Sequence, residues 1–248
     1  MRPKPTGHFV KGSVVTPDFL VQAHGNTEIL HSGRRVKHRI HATNMPVLEL
    51  DLDWLAAASE VYHISPDPKD YVMVSVPLVT ADIPNRNMQH FSCNELLTFC
   101  PNYGMLVYQT FNKKACFLDH KNDIPHEASG VIADTSMEYI PKYDLWKIKV
   151  LSLWDRSKNT DVVNKILNRV YSGYSMGATV AQFVCTVCGK EDTVDYRRCD
   201  HMKRIGSVWG DEKRLASQLC TGSCFFENSL ITKSDPADPT AFADDILV

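Results

Sequence analysis

Between Leu145 and Trp154 the chain reads LWKIKVLSLW, with Trp146, Ile148, Val150 and Trp154 on one face and Lys147 and Lys149 on the other. That period of two requires a strand with one side against a core; a helix would repeat its apolar positions every three or four residues. A strand needs partners. YVMVSVPLV, MLVYQTF, KACFLDH and ASGVIAD are further β-rich runs separated by Asn, Lys, Asp and Gly turns, while VLELDLDWL alternates apolar and acidic positions. Several short strands at this spacing indicate a barrel or sandwich.

NTDVVNKILNRVYSG switches to helical periodicity. Asn159 or Thr160 can cap it, Asp161 suits the helix dipole, Val162, Val163, Ile166, Leu167 and Val170 share a face, and Gly173 is expected to end it. YSMGATVAQFV and CFFENSLIT return to strand character, and further helices are expected within 48–60 and 211–219. The fold class is therefore α+β, mostly β. An extended basic arm over 1–46 is expected to precede one domain over 47–242, with an acidic tail end at 243–248. The chain shows no internal repeat.

With 44% hydrophobic and 23% charged residues, 248 residues suffice for a soluble core, and the net charge of −2 disfavours a dedicated nucleic-acid binder, which must neutralise phosphates. HSGRRVKHRIH is locally basic, an arm for an acidic partner or a solvated terminus, whereas DPADPTAFADD is locally acidic. No membrane span is present in the sequence pattern. MRPKPTGHFVKG lacks the apolar core of a signal peptide, so the expected location is the cytoplasm. Eight cysteines in that reducing compartment argue against a disulfide framework.

Cys185, Cys188, Cys199 and His201 in CTVCGKEDTVDYRRCDH form a Cys-x2-Cys-x10-Cys-x-His pattern, the ligand set of tetrahedral zinc, with Gly189 relaxing the first turn. Four protein ligands leave no open position, so a structural zinc knuckle spanning 185–201 is expected. A redox Cys-x-x-Cys pair fits less well, because Cys185 ends a strand where a thioredoxin-like pair would open a helix; unligated thiols are the third alternative. Cys220 or Cys224 can substitute for a ligand, and Cys93, Cys100 and Cys116 read as buried thiols. Arg197, Arg198, Lys203 and Arg204 are a solvated rim or phosphate contacts, although the spacing to His201 is wrong for a ββα finger.

In SGYSMGATV, Ser175 stands where a helix gives way to a strand, an exposed junction suited to a nucleophile. His120, ending KACFLDH, is a candidate base at the mouth of a strand, with His126 as a competitor in the loop beyond. Glu227 in FFENSLIT is a carboxylate among aromatic and apolar residues, where burial requires a partner such as an imidazolium.

In order, FLDH, ASGVIAD, VVNKILNRVYSG, YSMGATV and ENSLITKSDPADPTA resemble the head-maturation (prohead) serine proteases of tailed bacteriophages over roughly residues 70–242. The SMG form with a Cys/His knuckle looks most like the large-myophage branch. The resemblance implies a closed, mostly antiparallel β-barrel with flanking helices, similar to herpesvirus assemblin. It implies Ser175 as nucleophile, His120 as general base and Glu227 as the residue that orients the histidine. Gly177 would let a backbone approach the substrate. It also implies scaffold, major capsid and internal head proteins as substrates, cut after glutamate inside an assembling procapsid in the host cytoplasm, with self-cleavage; the assemblin analogy suggests a homodimer. The rival class is a catalytically silent virion or assembly protein that keeps the fold as an interaction module.

Overall fold

The computed structural model of the chain describes residues 28–31, 34–37, 50–193 and 199–247. In chain order, β1 (Glu28–His31) and β2 (Arg34–Lys37) form an antiparallel pair. The rest of the basic arm expected over 1–46 lies outside the described residues. Helix α1 (Leu52–Tyr62) starts where the Asp51 side chain accepts the Trp54 N–H at 2.9 Å, and ends at His63 in the left-handed region with φ 52. From that cap onward the chain is helical, in the region where a helix is expected, and Leu55 and Ala58 pack on Tyr71, Val131 and Leu153.

Strands β3 (Tyr71–Thr80) and β4 (Gln89–Phe91), helix α2 (Cys93–Leu96), then β5 (Phe99–Cys100), β6 (Met105–Leu106) and β7 (Ala115–Leu118) follow. MLVYQTF is a strand only at its start. Val107–Phe111 winds into a buried 3-10 turn that lets Phe111 stack on Phe225 at 4.2 Å between centroids. Strands β8 (Gly130–Ile140) and β9 (Leu145–Asp155) form the longest hairpin, turning through Pro141–Tyr143 and Asp144 at φ 52. The apolar face of β9 is buried as its period requires. Its lysine face is covered too: Lys149 is paired with Glu138 at 3.1 Å and Asp244 at 3.0 Å, which lets an ammonium leave water.

Helix α3 (Thr160–Leu167) buries Val162, Val163 and Ile166. It stops before Gly173: Arg169 takes φ 54, leaving Val170 exposed and Gly173 free to open β10 (Gly173–Thr179). Next come β11 (Gln182–Cys185), β12 (Glu191–Asp192), α4 (Asp200–Lys203), β13 (Val208–Trp209), β14 (Arg214–Leu215), β15 (Gln218–Thr221), β16 (Cys224–Ile231) and β17 (Asp245–Leu247). The helix expected in 211–219 is absent. Its backbone bonds sideways instead, Ala216 N–H to Ser207 O at 2.8 Å and Gln218 N–H to Met88 O at 2.8 Å, so strand pairing overrides local propensity.

The main sheet runs β10-β16-β7-β8-β9-β3-β17. Its pairings are antiparallel except that β7 and β16 run parallel, so the sheet is mostly antiparallel. The acidic tail is also more than a solvated end. Asp245–Leu247 pairs with β3, and the segment before it bonds to β10 through Tyr174 N–H to Ala241 O at 2.8 Å and Ala243 N–H to Ser172 O at 2.9 Å. A second sheet, β12-β11-β15-β4, carries the Cys/His segment. The core between these elements includes Trp154, Tyr108, Tyr174, Phe111 and Phe225. The fold is α+β and mostly β. Among the described residues no helix is long and apolar enough to cross a membrane.

Candidate active site and metal cluster

Strand β16 is flanked by β10 on one side and β7 on the other, and this order gathers the three predicted residues. Ser175 of β10 pairs with Ser229 of β16, and Gly177 with Glu227. Because side chains alternate along a strand, Glu227 and Ser229 share a face, and cross-strand pairing puts Ser175 on it as well. On the other side β7 runs parallel to β16, pairing Leu118 with Leu230, and His120 follows two residues later.

His120 Nδ1 lies 2.6 Å from Glu227 Oε1. The carboxylate side chain is 0% exposed and the imidazole 43%, so the acid is dry and the base reaches solvent. The Glu227 hydrogen bond is the main cause that raises the His120 pKa above the ordinary 6.5, outweighing burial, with the charges of Glu227 and Asp119 adding to it. With Nδ1 engaged, base chemistry falls to Nε2.

Both Asp119 and His120 adopt left-handed backbone, at φ 49 and 57, a conformation costly for residues with a Cβ. The turn is held from β16 and just beyond it. Asp119 N–H donates to Leu230 O at 3.0 Å, Thr232 N–H donates to Asp119 Oδ1 at 2.7 Å, and Thr232 Oγ1 donates to Asp119 Oδ2 at 2.6 Å. Burial alone would push the Asp119 carboxyl up; the Thr232 bonds, with Lys233 and Lys121 nearby, outweigh it and hold it down.

Ser175, His120 and Glu227 line one cleft of 320 Å³ together with Asn85, Asn87 and Gln89. Phe183 of β11 and Cys220 of β15 also line it, so the sheet carrying the Cys/His segment contributes to its wall. His126 is elsewhere: its ring stacks on His63 at 5.4 Å and its carbonyl accepts Lys158 Nζ at 2.6 Å. Gly177 lines the cleft as well. A Cβ there would come within 2.6 Å of both Glu227 Cγ and the Phe226 ring, so its missing side chain makes room for the acid.

At the far end of β11, ligand atoms of Cys185, Cys188, Cys199 and His201 all lie within 4.8 Å of one another, a donor set that can bind a metal ion. The Cys185–Gly189 turn closes through Gly189 N–H to Cys185 O at 2.9 Å, with Gly189 at φ 70, and Cys199 caps α4, which carries His201. His201 Nδ1 is buried with no hydrogen-bond partner, while the His201 side chain bonds Cys188. Burial pushes the Cys188 thiol up, but the Lys190 N–H and the neighbouring ligand side chains bring it down to about 7, toward the thiolate a metal needs.

Cys220 and Cys224 stand apart from this cluster: Cys220 lines the cleft, and Cys224 Sγ faces Cys100 Sγ at 3.6 Å. Lys203 pairs with Asp200 at 2.8 Å and Arg204 sits over Trp209 at 4.9 Å, so both rim cations have protein partners; Arg197 and Arg198 lie outside the described residues.

Three residues at the site carried no role in the sequence: Ser229, Asp119 and Thr232. Ser229 was accessible to a simple rule, since a residue two along a strand from Glu227 must share its face. The Asp119–Thr232 contact joins residues just past the ends of two different strands and had no local signal.

No protein-family model, no curated protein and no solved structure matches this chain.

Proposed function

We propose that this chain is a serine endopeptidase. The observation that carries the reading is the 2.6 Å contact between a solvent-reaching imidazole and a fully buried carboxylate, in a cleft that Ser175 also lines. Ser175 attacks a peptide carbonyl while His120 takes its proton at Nε2. Glu227 holds the imidazole by Nδ1 and stabilises the imidazolium that forms. His120 then delivers the proton to the leaving amine, and water releases the acyl group by the same path reversed.

The ordered resemblance to prohead proteases supports a narrower version: cleavage of scaffold, major capsid and internal head proteins after glutamate, with self-cleavage, inside a procapsid assembling in the host cytoplasm. The closed barrel belongs to the same proposal, supported by the bonds from the segment 241–243 to β10. So do the homodimer and a structural zinc at Cys185, Cys188, Cys199 and His201, whose donor set suits that ion.

The second reading is a silent virion or assembly protein, and one observation favours it: Ser175 is only 7% exposed. Co-expression with the matching scaffold or capsid protein separates the two. Wild type cuts the partner under the protease reading, and Ser175→Ala and His120→Ala leave it whole. If all three leave it uncut, the silent reading stands.

A further inference from the structure

The hydroxyl of Ser229 sits at the centre of the contacts that join the three strands. It donates to Glu227 Oε2 at 2.7 Å and accepts the His120 backbone N–H at 3.2 Å. A hydroxyl has one proton to give, and here the carboxylate takes it, so the direction of both bonds is fixed. Ser229 is 0% exposed, which excludes it as a second nucleophile, and it pairs across the sheet with Ser175.

We propose that Ser229 is a positioning residue of this site: through one oxygen it orients the Glu227 carboxylate and anchors the His120 backbone opposite the strand that carries Ser175. The inference rests on the protease reading for its consequence in catalysis, though not for its geometry. Glu227 Oε1 is committed to His120 Nδ1, so Ser229 supplies the donor for the remaining oxygen. Without it a dry carboxylate is left half-satisfied, and its charge is concentrated on the imidazole.

The ionisable surroundings are few. Glu227 and Asp119 face His120, with Lys121 and Lys233 beyond Asp119, and Cys116 of β7 lies near Glu227. Burial pushes the Cys116 thiol far up, so it stays neutral across the useful range. A shift in the His120 titration on changing Ser229 therefore reports the Glu227 carboxylate.

The test compares wild type, Ser229→Ala and Ser229→Thr as full chains, by nuclear magnetic resonance titration of the His120 ring and by inactivation with a fluorophosphonate probe. Ser229→Ala is expected to raise the His120 midpoint. It is also expected to lower the limiting inactivation rate about tenfold or more, the scale of one hydrogen bond to a charged group, with little change in probe affinity. Ser229→Thr, which keeps the hydroxyl, restores both. A His120 midpoint in Ser229→Ala that is unchanged or lowered overturns the proposal, as does an alanine variant that reacts as fast as wild type. Should Ser229→Ala fail to fold, Ser229→Cys, similar in size and a weak donor, is held to the same outcomes. If the wild-type chain does not react with the probe at Ser175, the protease reading falls, and the titration alone still decides whether Ser229 governs the pair.

Discussion

Gly177 lies directly opposite Glu227 on the neighbouring strand, and the space of its absent side chain is filled by the Glu227 stem and the Phe226 ring. Gly177→Ala must therefore displace the acid, the ring or the strand. We expect a stability loss of about 1–3 kcal/mol, the usual cost of overpacking. Activity should fall about a hundredfold, since small misplacements of a catalytic group cost that much. Thermal unfolding and cleavage rates measured on the same preparation check both.

The raised His120 pKa sets two pH dependences of opposite sign. As a base, His120 works only when neutral, so the rate should climb with pH through a midpoint above 6.5. Its contribution to stability runs the other way: present in full below the unfolded value of 6.5, it is lost as pH rises through the higher folded value. A pH–rate profile beside unfolding curves for wild type and His120→Ala should show the activity rising while the stability difference shrinks. A rate midpoint below 6.5 would contradict the His120–Glu227 pairing.

Thr232 is not among the residues lining the cleft, and its backbone N–H and hydroxyl both bond Asp119. Thr232→Val removes the 2.6 Å hydroxyl bond and keeps the side-chain shape, so the left-handed turn at Asp119 and His120 loses one restraint. The expected cost is about 1–3 kcal/mol, with the rate falling more than the substrate affinity. Equal loss of both would mean that the turn does not position the base.

Metal removal should act at a distance. The Cys185 cluster and the cleft wall share the sheet β12-β11-β15-β4, through Phe183 and Cys220. Purified protein should carry about one zinc per chain, the stoichiometry of a four-ligand site. Chelation or Cys185→Ser should lower the melting temperature and then the activity, and readded zinc should restore both. Full activity in metal-free protein of unchanged stability would sever the link.

The period of two in LWKIKVLSLW and the helical face of Val162, Val163 and Ile166 were legible because each is written in adjacent residues. So was the cluster at Cys185, Cys188, Cys199 and His201, whose spacing is nearly its geometry. Other features depended on partners far along the chain. Nothing local says that Phe111 would leave strand geometry to stack on Phe225. Arg169, not Gly173, took the left-handed position that stops α3, because Gly173 was needed where Pro236 and Phe242 crowd β10. At the site, residue types pointed to Ser175, His120 and Glu227, but what joins them came from pairing. Strand β16 lies between the other two, and Ser229 becomes visible only once that order is known.

The parallel pairing of β7 with β16 also fixes when the site can exist. Residues 119–223 separate the two strands, and neither β7 nor β10 has the other as its neighbour. A chain emerging from the ribosome holds its serine and its histidine long before β16 arrives to bring them side by side. Such long-range closure is slow compared with hairpin formation. Assembly order thus acts as a timer: under the protease reading, a chain that stops before β16 lacks Glu227 and has nothing to orient His120.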